Sequence, residues 1–175
     1  KPPAAEGQSR FNDNRRLQVF MVDLVTKRPQ QLTDAPFHHH SLDWSQKGDE
    51  ILFASNQGPD PDRIFNDDVF AFNVAKRGVR RLTSTPSAEY DPVWSPDGLM
   101  VAMRATARPR TSSETTMEDT HVWVMKADGT GRRDVGMAVD NRQSAPRWSG
   151  DGKWLYFTVQ ERGDVRLYRV ATTGG

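Results

Sequence analysis

The pattern W-S-x-x-G occurs three times in this chain, at residues 44–48, 94–98 and 148–152, and its tryptophans are 50 and 54 residues apart. The similarity between the first two copies extends upstream without a gap, since the Leu-Thr pair at 32–33 recurs at 82–83. A fixed period of this length is typical of repeat architectures, in which each unit buries its apolar face against its neighbours. The period therefore constrains the fold more than any other feature of the sequence.

Within one period, residues 41–83, the pattern predicts four short strands. Trp44 closes the first strand, and residues 50–55 form the second, in which apolar side chains alternate between two faces. The third strand is formed by residues 69–74, which are rich in aromatic and β-branched side chains, and the short fourth strand by residues 79–83. Four antiparallel strands in about 45 residues is the size of one blade of a β-propeller.

The repeat divides the chain into a disordered lead-in and a partial propeller. The lead-in is residues 1–16, and the propeller comprises a half blade at 17–33, full blades at 41–83 and 92–135, and an incomplete blade at 146–175. The predicted fold class is all-β, a propeller arc of about three four-stranded antiparallel blades in an incomplete ring. Because propellers usually close with four to eight blades, we expect a piece of a larger propeller that self-associates through exposed blade faces.

The packing between neighbouring blades is also predicted from the period. Two apolar positions follow each tryptophan, seven and nine residues later, and should lie on one sheet face and fill the space between adjacent blades; they are Ile51, Val101 and Leu155, and Phe53, Met103 and Phe157. The strict repetition of Trp44, Trp94 and Trp148 predicts a structural role for these side chains and not a ligand platform.

Composition excludes several functions. The chain has 24 Lys and Arg against 23 Asp and Glu, so its net charge of +1 provides no field that attracts nucleic acid or an anionic membrane. The absence of cysteine excludes disulfides and thiolate chemistry and is compatible with either cytoplasm or periplasm. No apolar run approaches the roughly 20 residues of a membrane span. We predict no nucleic-acid partner and no membrane partner.

Three segments resemble the TolB-type propeller repeat. They are the W-S-P-D-G turn at 94–98, the R-R-L-T strand end at 80–83 and the W-V-M-K-A-D-G-T-G hairpin at 123–131. Longer stretches, at 55–70 and 154–170, are similar to the propeller of prolyl-oligopeptidase-family serine peptidases, with bacterial acylaminoacyl-peptidases and dipeptidyl-peptidases as the most similar relatives.

This resemblance implies a two-domain enzyme, in which a propeller covers an α/β-hydrolase domain and limits the peptides that reach a Ser-Asp-His triad. The chain itself has no G-x-S-x-G nucleophile elbow and no alternating strand–helix pattern. We therefore assign it no catalytic, cofactor-binding or metal-binding residue and no cofactor. The expected function is a non-catalytic lid and substrate filter for a hydrolase domain outside this sequence. The alternative is a TolB-like module that binds proteins or peptides.

The run His38-His39-His40 is a candidate metal site, because residues two apart on a strand share a face. No cysteine or clearly placed carboxylate completes a tetrahedral set, so we interpret the run as an ordinary link between strands. Two further candidates are also interpreted as solvated loops. They are the acidic segment with Asp60, Asp62, Asp67 and Asp68, and the segment in which Arg108 and Arg110 either bind an acidic partner or pair with Glu114, Glu118 and Asp119.

The connections between strands should emerge alternately at two ends of the blades. Short turns at 26–29, 46–49, 76–78, 96–99, 127–131 and 150–153 share one end, and longer links at 34–43, 56–67, 84–91, 105–120 and 136–145 share the other. Long loops on a rigid scaffold commonly carry binding sites, so the end with the longer links, hereafter the long-link end, is the predicted functional face.

Overall fold

A computed structural model describes residues 16–61, 63–106 and 119–174. These residues form thirteen strands and no helix, so the described part of the chain offers no apolar helix long enough to cross a bilayer. The strands are β1 (Phe20–Val22), β2 (Pro29–Gln31), β3 (His40–Trp44), β4 (Glu50–Ser55), β5 (Asp68–Asn73), β6 (Gly78–Arg81), β7 (Glu89–Trp94), β8 (Met100–Thr106), β9 (Thr120–Lys126), β10 (Arg133–Asp134), β11 (Arg147–Trp148), β12 (Trp154–Glu161) and β13 (Asp164–Ala171).

The strands form four antiparallel sheets, each paired in chain order: β1–β2, β3 to β6, β7 to β10, and β11 to β13. The first strands of successive sheets lie side by side, because the Asp43 carboxylate accepts a hydrogen bond from the Trp94 backbone N–H at 2.7 Å and the Trp148 indole N–H donates to the Val93 carbonyl at 3.2 Å. Over the described residues the sheets form an open arc. The predicted all-β propeller arc is confirmed.

A separate apolar cluster fills the space between each pair of neighbouring sheets, as the repeat predicts. Ile51 and Phe53 pack against the first sheet, Val101 and Met103 against the second, and Leu155 and Phe157 against the third. Each sheet therefore presents apolar side chains to both of its neighbours, and an inner sheet is stabilised from two sides.

The three repeated tryptophans, for which the sequence predicts a structural role, are not equally buried. Trp94 is only 6% exposed and lies in the cluster between the second and third sheets, whereas Trp44 is 45% exposed. Trp44 is paired with Ile51 across the strands and so faces the first sheet. That sheet has only two strands, which are too few to cover an indole ring.

The first strands of the second and third sheets carry the same β-bulge. Two residues oppose one between His40 and Asp43, and again between Tyr90 and Val93. The bulged residues Ser41 and Asp91 adopt left-handed conformations, with φ of 55° and 51°. Such conformations are costly for residues other than glycine, and the bulge redirects both side chains toward the gap between β3 and β7.

The last hairpin has a short connection. Its strands β12 and β13 extend to Glu161 and Asp164 and are joined by Arg162 and Gly163. Both joining residues have positive φ, 53° and 88°, which is the geometry of a tight two-residue turn that matches the twist of the strands. The earlier blades have long links at this place.

Candidate functional site

Buried polar side chains concentrate at the long-link end of the sheets. Apart from Ser95, every buried polar or charged residue that the structure describes lies in or beside one of the longer links; these are Thr33, His39, Ser55, Asp68, Thr83, Ser87, Glu89, Thr106, Thr120, His121 and Gln143. Buried polar groups require specific partners, so this end is held by hydrogen bonds where the rest of the arc is held by apolar packing.

A polar network crosses from the second sheet to the third at this end, and we call its five members, His40, Ser41, Asp67, Asp91 and Arg104, the bulge cluster. His40 contacts Asp67 through Nε2 and Ser41 Oγ through Nδ1, both at 3.0 Å. The Ser41 hydroxyl donates to Asp91 Oδ1 at 3.2 Å, and Arg104 Nη2 lies 2.9 Å from Asp91 Oδ2. The two bulged residues are therefore in direct contact.

The bulge cluster favours a protonated His40. The Ser41 hydroxyl donates its hydrogen bond to Asp91, so it accepts one from His40 Nδ1, and Asp67 accepts one from His40 Nε2. Both ring nitrogens then act as donors, which only the imidazolium form allows. Consistent with this arrangement, the hydrogen bond to Asp67 raises the pKa of His40 above its usual value, against the opposing effect of burial.

The other two histidines have different environments. His39 is buried, stands edge-on to the Phe53 ring with centroids 4.6 Å apart, and contacts Ser55 Oγ at 3.1 Å. Burial lowers the pKa of His39. His38 is exposed, and its Nδ1 accepts the Leu17 backbone N–H. The interpretation of the run as an ordinary loop is thus wrong for His39, which anchors the link against the sheet. The described residues contain no group of three His, Cys, Asp or Glu placed to hold a metal.

A cavity of about 250 Å³ opens between the link at 34–39 and the link at 56–67. Its walls include the rings of Phe37 and Phe65, and its polar side is formed by His38, His40 and Asp67. We call it the aromatic cavity. It adjoins the bulge cluster because His40 and Asp67 belong to both.

The described carboxylates of the acidic segment contact different partners and do not form a common site for a cation. Asp67 faces His40, whereas Asp68 is buried in an ion pair with Arg81, and burial raises the pKa of Asp68. Asp60 lies 3.8 Å from Arg63 and points elsewhere. Asp62 lies outside the described residues, as do Arg108, Arg110, Glu114 and Glu118 of the other candidate segment.

Sequence reasoning missed a buried carboxylate at the start of β7. Glu89 is fully buried and accepts hydrogen bonds from Thr85 Oγ1 at 2.6 Å, Thr83 Oγ1 at 3.1 Å and Arg132 Nη2 at 3.0 Å. Burial raises the pKa of Glu89 to about 7. The repeat could have indicated this carboxylate, because the equivalent positions in the neighbouring sheets hold His39 and Gln143, which are also polar and buried.

A histidine–aspartate pair on the third sheet has the form of a catalytic dyad, with His121 Nδ1 2.7 Å from Asp134 Oδ2. The equivalent positions in the second sheet hold the ion pair of Asp68 and Arg81. A polar pair between the third and fourth strands is therefore a property of the repeat. We assign the dyad a structural role.

No protein-family model matches the chain. Solved structures do match its fold. A putative TolB from Agrobacterium tumefaciens is 21% identical, with a TM-score of 0.61 over 84% of this chain and 50% of that one. A puromycin-hydrolyzing peptidase from Mycobacterium tuberculosis is also 21% identical, with a TM-score of 0.65 over 90% of this chain and 26% of that one.

A structure from a study of two prolyl endopeptidases is 12% identical, with a TM-score of 0.66 over 91% of this chain and 25% of that one. The chain thus spans half or less of the length of each of these three structures. Identities this low establish the fold alone. The chain is an open arc of a β-propeller, and its fold is similar to parts of the solved TolB and peptidase structures.

Proposed function

We propose that this chain is the propeller portion of a prolyl-oligopeptidase-family serine peptidase and acts as a lid and substrate filter for an α/β-hydrolase domain. The fold of the peptidases that it matches supports this proposal. The sequence is consistent with a non-catalytic part, since it has no G-x-S-x-G motif.

The observation that carries the proposal is the combination of the bulge cluster and the aromatic cavity at one end of the arc. Ser41 and Asp91 hold unfavourable backbone conformations to place their side chains there, and such strain concentrates at functional sites. The cavity, at about 250 Å³, is smaller than the roughly 300–1,000 Å³ of pockets for drug-sized ligands. It therefore suits one apolar side chain of a peptide that passes this end.

A filter of this kind acts on long substrates more than on short ones. Phe65 is 41% exposed and lines the aromatic cavity. A short amide that reaches the triad without contacting the propeller gains nothing from Phe37 or Phe65. A peptide that extends into the cavity gains the burial of an apolar side chain, typically about 1.5–3 kcal/mol.

The experiment compares kcat/KM for a dipeptide chromogenic amide and for a peptide of about fifteen residues, using the complete protein that contains this chain. Phe37→Ala and Phe65→Ala should lower the value for the long peptide by about 10-fold and leave the dipeptide value unchanged. Leu99→Ala, which truncates a 67% exposed side chain in the turn at 96–99 at the opposite end, is the matched control. Equal loss for both substrates would exclude a filter.

The second candidate is a TolB-like module that binds proteins or peptides and belongs to no enzyme. The similarity to the putative TolB favours it, since the identity equals that to the peptidase. The complete reading frame separates the two. A G-x-S-x-G motif followed by aspartate and histidine supports the peptidase, and a small N-terminal α/β domain with no such motif supports the binding module.

A further inference from the structure

A second cleft at the long-link end, of about 450 Å³, lies between Arg104 of β8, the link at 141–144 and the distal end of the β12–β13 hairpin. Two arginines, Arg104 and Arg142, contribute to its lining, together with the polar side chains of Ser144, Thr158 and Gln160. No carboxylate is among the described residues that line it. We call it the arginine cleft.

The repeat does not require an arginine at position 104. The equivalent positions in the neighbouring sheets hold Ala54 and Thr158, and both of those sheets form without a cation there. Arg104 lies opposite Tyr90 in the β7–β8 pair, and its guanidinium stands 5.4 Å from the centre of the tyrosine ring. The aromatic ring and Asp91 together fix the direction of this side chain before any ligand binds.

Both arginines retain donors for a ligand. Within the described residues, Arg104 has one carboxylate partner, Asp91, at Nη2, and its side chain is 30% exposed. Arg142 is exposed and takes part in no ion pair within the described ranges. A guanidinium carries five N–H groups, so each side chain has donors left to form the paired hydrogen bonds that arginine makes with carboxylates.

The charge of the cleft matches a singly charged anion. Among the described residues, two arginines against one aspartate leave one positive charge unbalanced. One carboxylate balances that charge, whereas a doubly charged phosphate exceeds it. The hydroxyl groups of Ser144 and Thr158 are hydrogen bonded to each other at 3.0 Å and leave an uncharged polar wall beside the arginines.

We propose that the arginine cleft binds a peptide carboxylate, the C-terminal group or an acidic side chain, with Arg104 as the preoriented contact and Arg142 as the second. The cleft is distinct from the aromatic cavity in its lining residues. The proposal holds for a peptidase filter and for a peptide-binding module alike, so it does not depend on which of the two functions is correct.

The test is titration calorimetry of the 175-residue chain with three peptides: acetyl-trialanine with a free C-terminus, its C-terminal amide, and the amide of acetyl-Ala-Glu-Ala. The free acid or the glutamate peptide should bind at least about 10-fold more tightly than the trialanine amide, because charge-assisted hydrogen bonds contribute more than neutral ones. The tighter of the two identifies whether a terminal or a side-chain carboxylate is the ligand. Binding should weaken as salt is raised.

Arg142→Gln carries the mutational test, because the side chain is exposed and its replacement should leave the fold intact. It should weaken binding of the carboxylate peptide by about 10-fold. Arg104→Gln should weaken it at least as much, and its unfolding transition shows whether the loss of the Asp91 partner has altered the structure. Arg28→Gln, an exposed arginine in the turn at 26–29, is the matched control and should bind as the unmodified chain does.

The proposal would be overturned by binding of neither carboxylate peptide, by equal binding of the trialanine amide, or by Arg142→Gln and Arg104→Gln variants that bind like the unmodified chain. An equal loss in Arg28→Gln would show that net charge and not the cleft is responsible, and would overturn it too.

Discussion

Trp44 and Trp94 occupy the same position of the repeat and provide an internal comparison of buried and exposed packing. Trp94 is 6% exposed and lies among Leu52, Val101 and Met103 between two complete sheets, whereas Trp44 is 45% exposed. Trp94→Ala removes a buried ring and leaves a cavity, which typically costs about 3–5 kcal/mol. For Trp44→Ala, solvent already reaches the ring and fills the space that it leaves. The stability lost should therefore be about 1 kcal/mol, roughly half the free energy gained by burying a whole apolar side chain.

The assay is urea unfolding of both variants and of the unmodified 175-residue chain, followed by far-UV circular dichroism. Domains of this size are stable by about 5–15 kcal/mol, so Trp94→Ala should shift the midpoint far more than Trp44→Ala. Equal shifts, or a larger shift for Trp44→Ala, would refute the argument that packing between complete sheets determines stability. In a protein that supplies a complete neighbouring blade, Trp44→Ala should become as costly as Trp94→Ala.

Three further predictions concern the polar end and the turns. Burial raises the pKa of Glu89 to about 7 in the fold, against about 4.5 in the unfolded chain, so the free energy of unfolding should fall by roughly 1–3 kcal/mol as the pH rises between these values. In melts at several pH values, Glu89→Gln should remove this fall. His40 has a raised pKa and stabilises the fold below its unfolded value of 6.5, an effect lost as the pH rises through the folded pKa; NMR titration should show that Asp67→Asn lowers the pKa of His40. Gly129 and Gly48 both have positive φ, but only at Gly129 would a Cβ overlap a neighbouring backbone carbonyl, so Gly129→Ala should lower the melting temperature clearly more than Gly48→Ala.

The fold could be predicted from the sequence because it rests on short-range patterns that recur. The alternation in 50–55 placed Ile51 and Phe53 on the face that packs against the first sheet, and the structure confirms it. What the pattern could not supply is the number of neighbours that each face has. Trp44 and Trp94 occupy the same position of the W-S-x-x-G pattern, and their exposure differs because it depends on the adjacent sheet.

Of the candidate site, the sequence predicted only that it lies at the long-link end of the sheets. The long links indicated where polar groups would gather, yet the contact between Ser41 and Asp91 depends on two bulges that bring residues 50 positions apart within 3.2 Å. A bulge adds one residue to a strand without a strong local signal. The sequence predicted only that the histidine run links two strands, whereas the burial of His39 follows from the packing of this link against Phe53.

The central claim, that this arc is the propeller part of a serine peptidase, is tested most directly by labelling with a serine-reactive fluorophosphonate. The complete protein and the 175-residue chain are treated side by side, and the labelled serine is identified by mass spectrometry. The account predicts stoichiometric labelling of the complete protein at a serine outside this sequence and no labelling of the chain alone. A complete protein that does not react, or a chain that does, would contradict it.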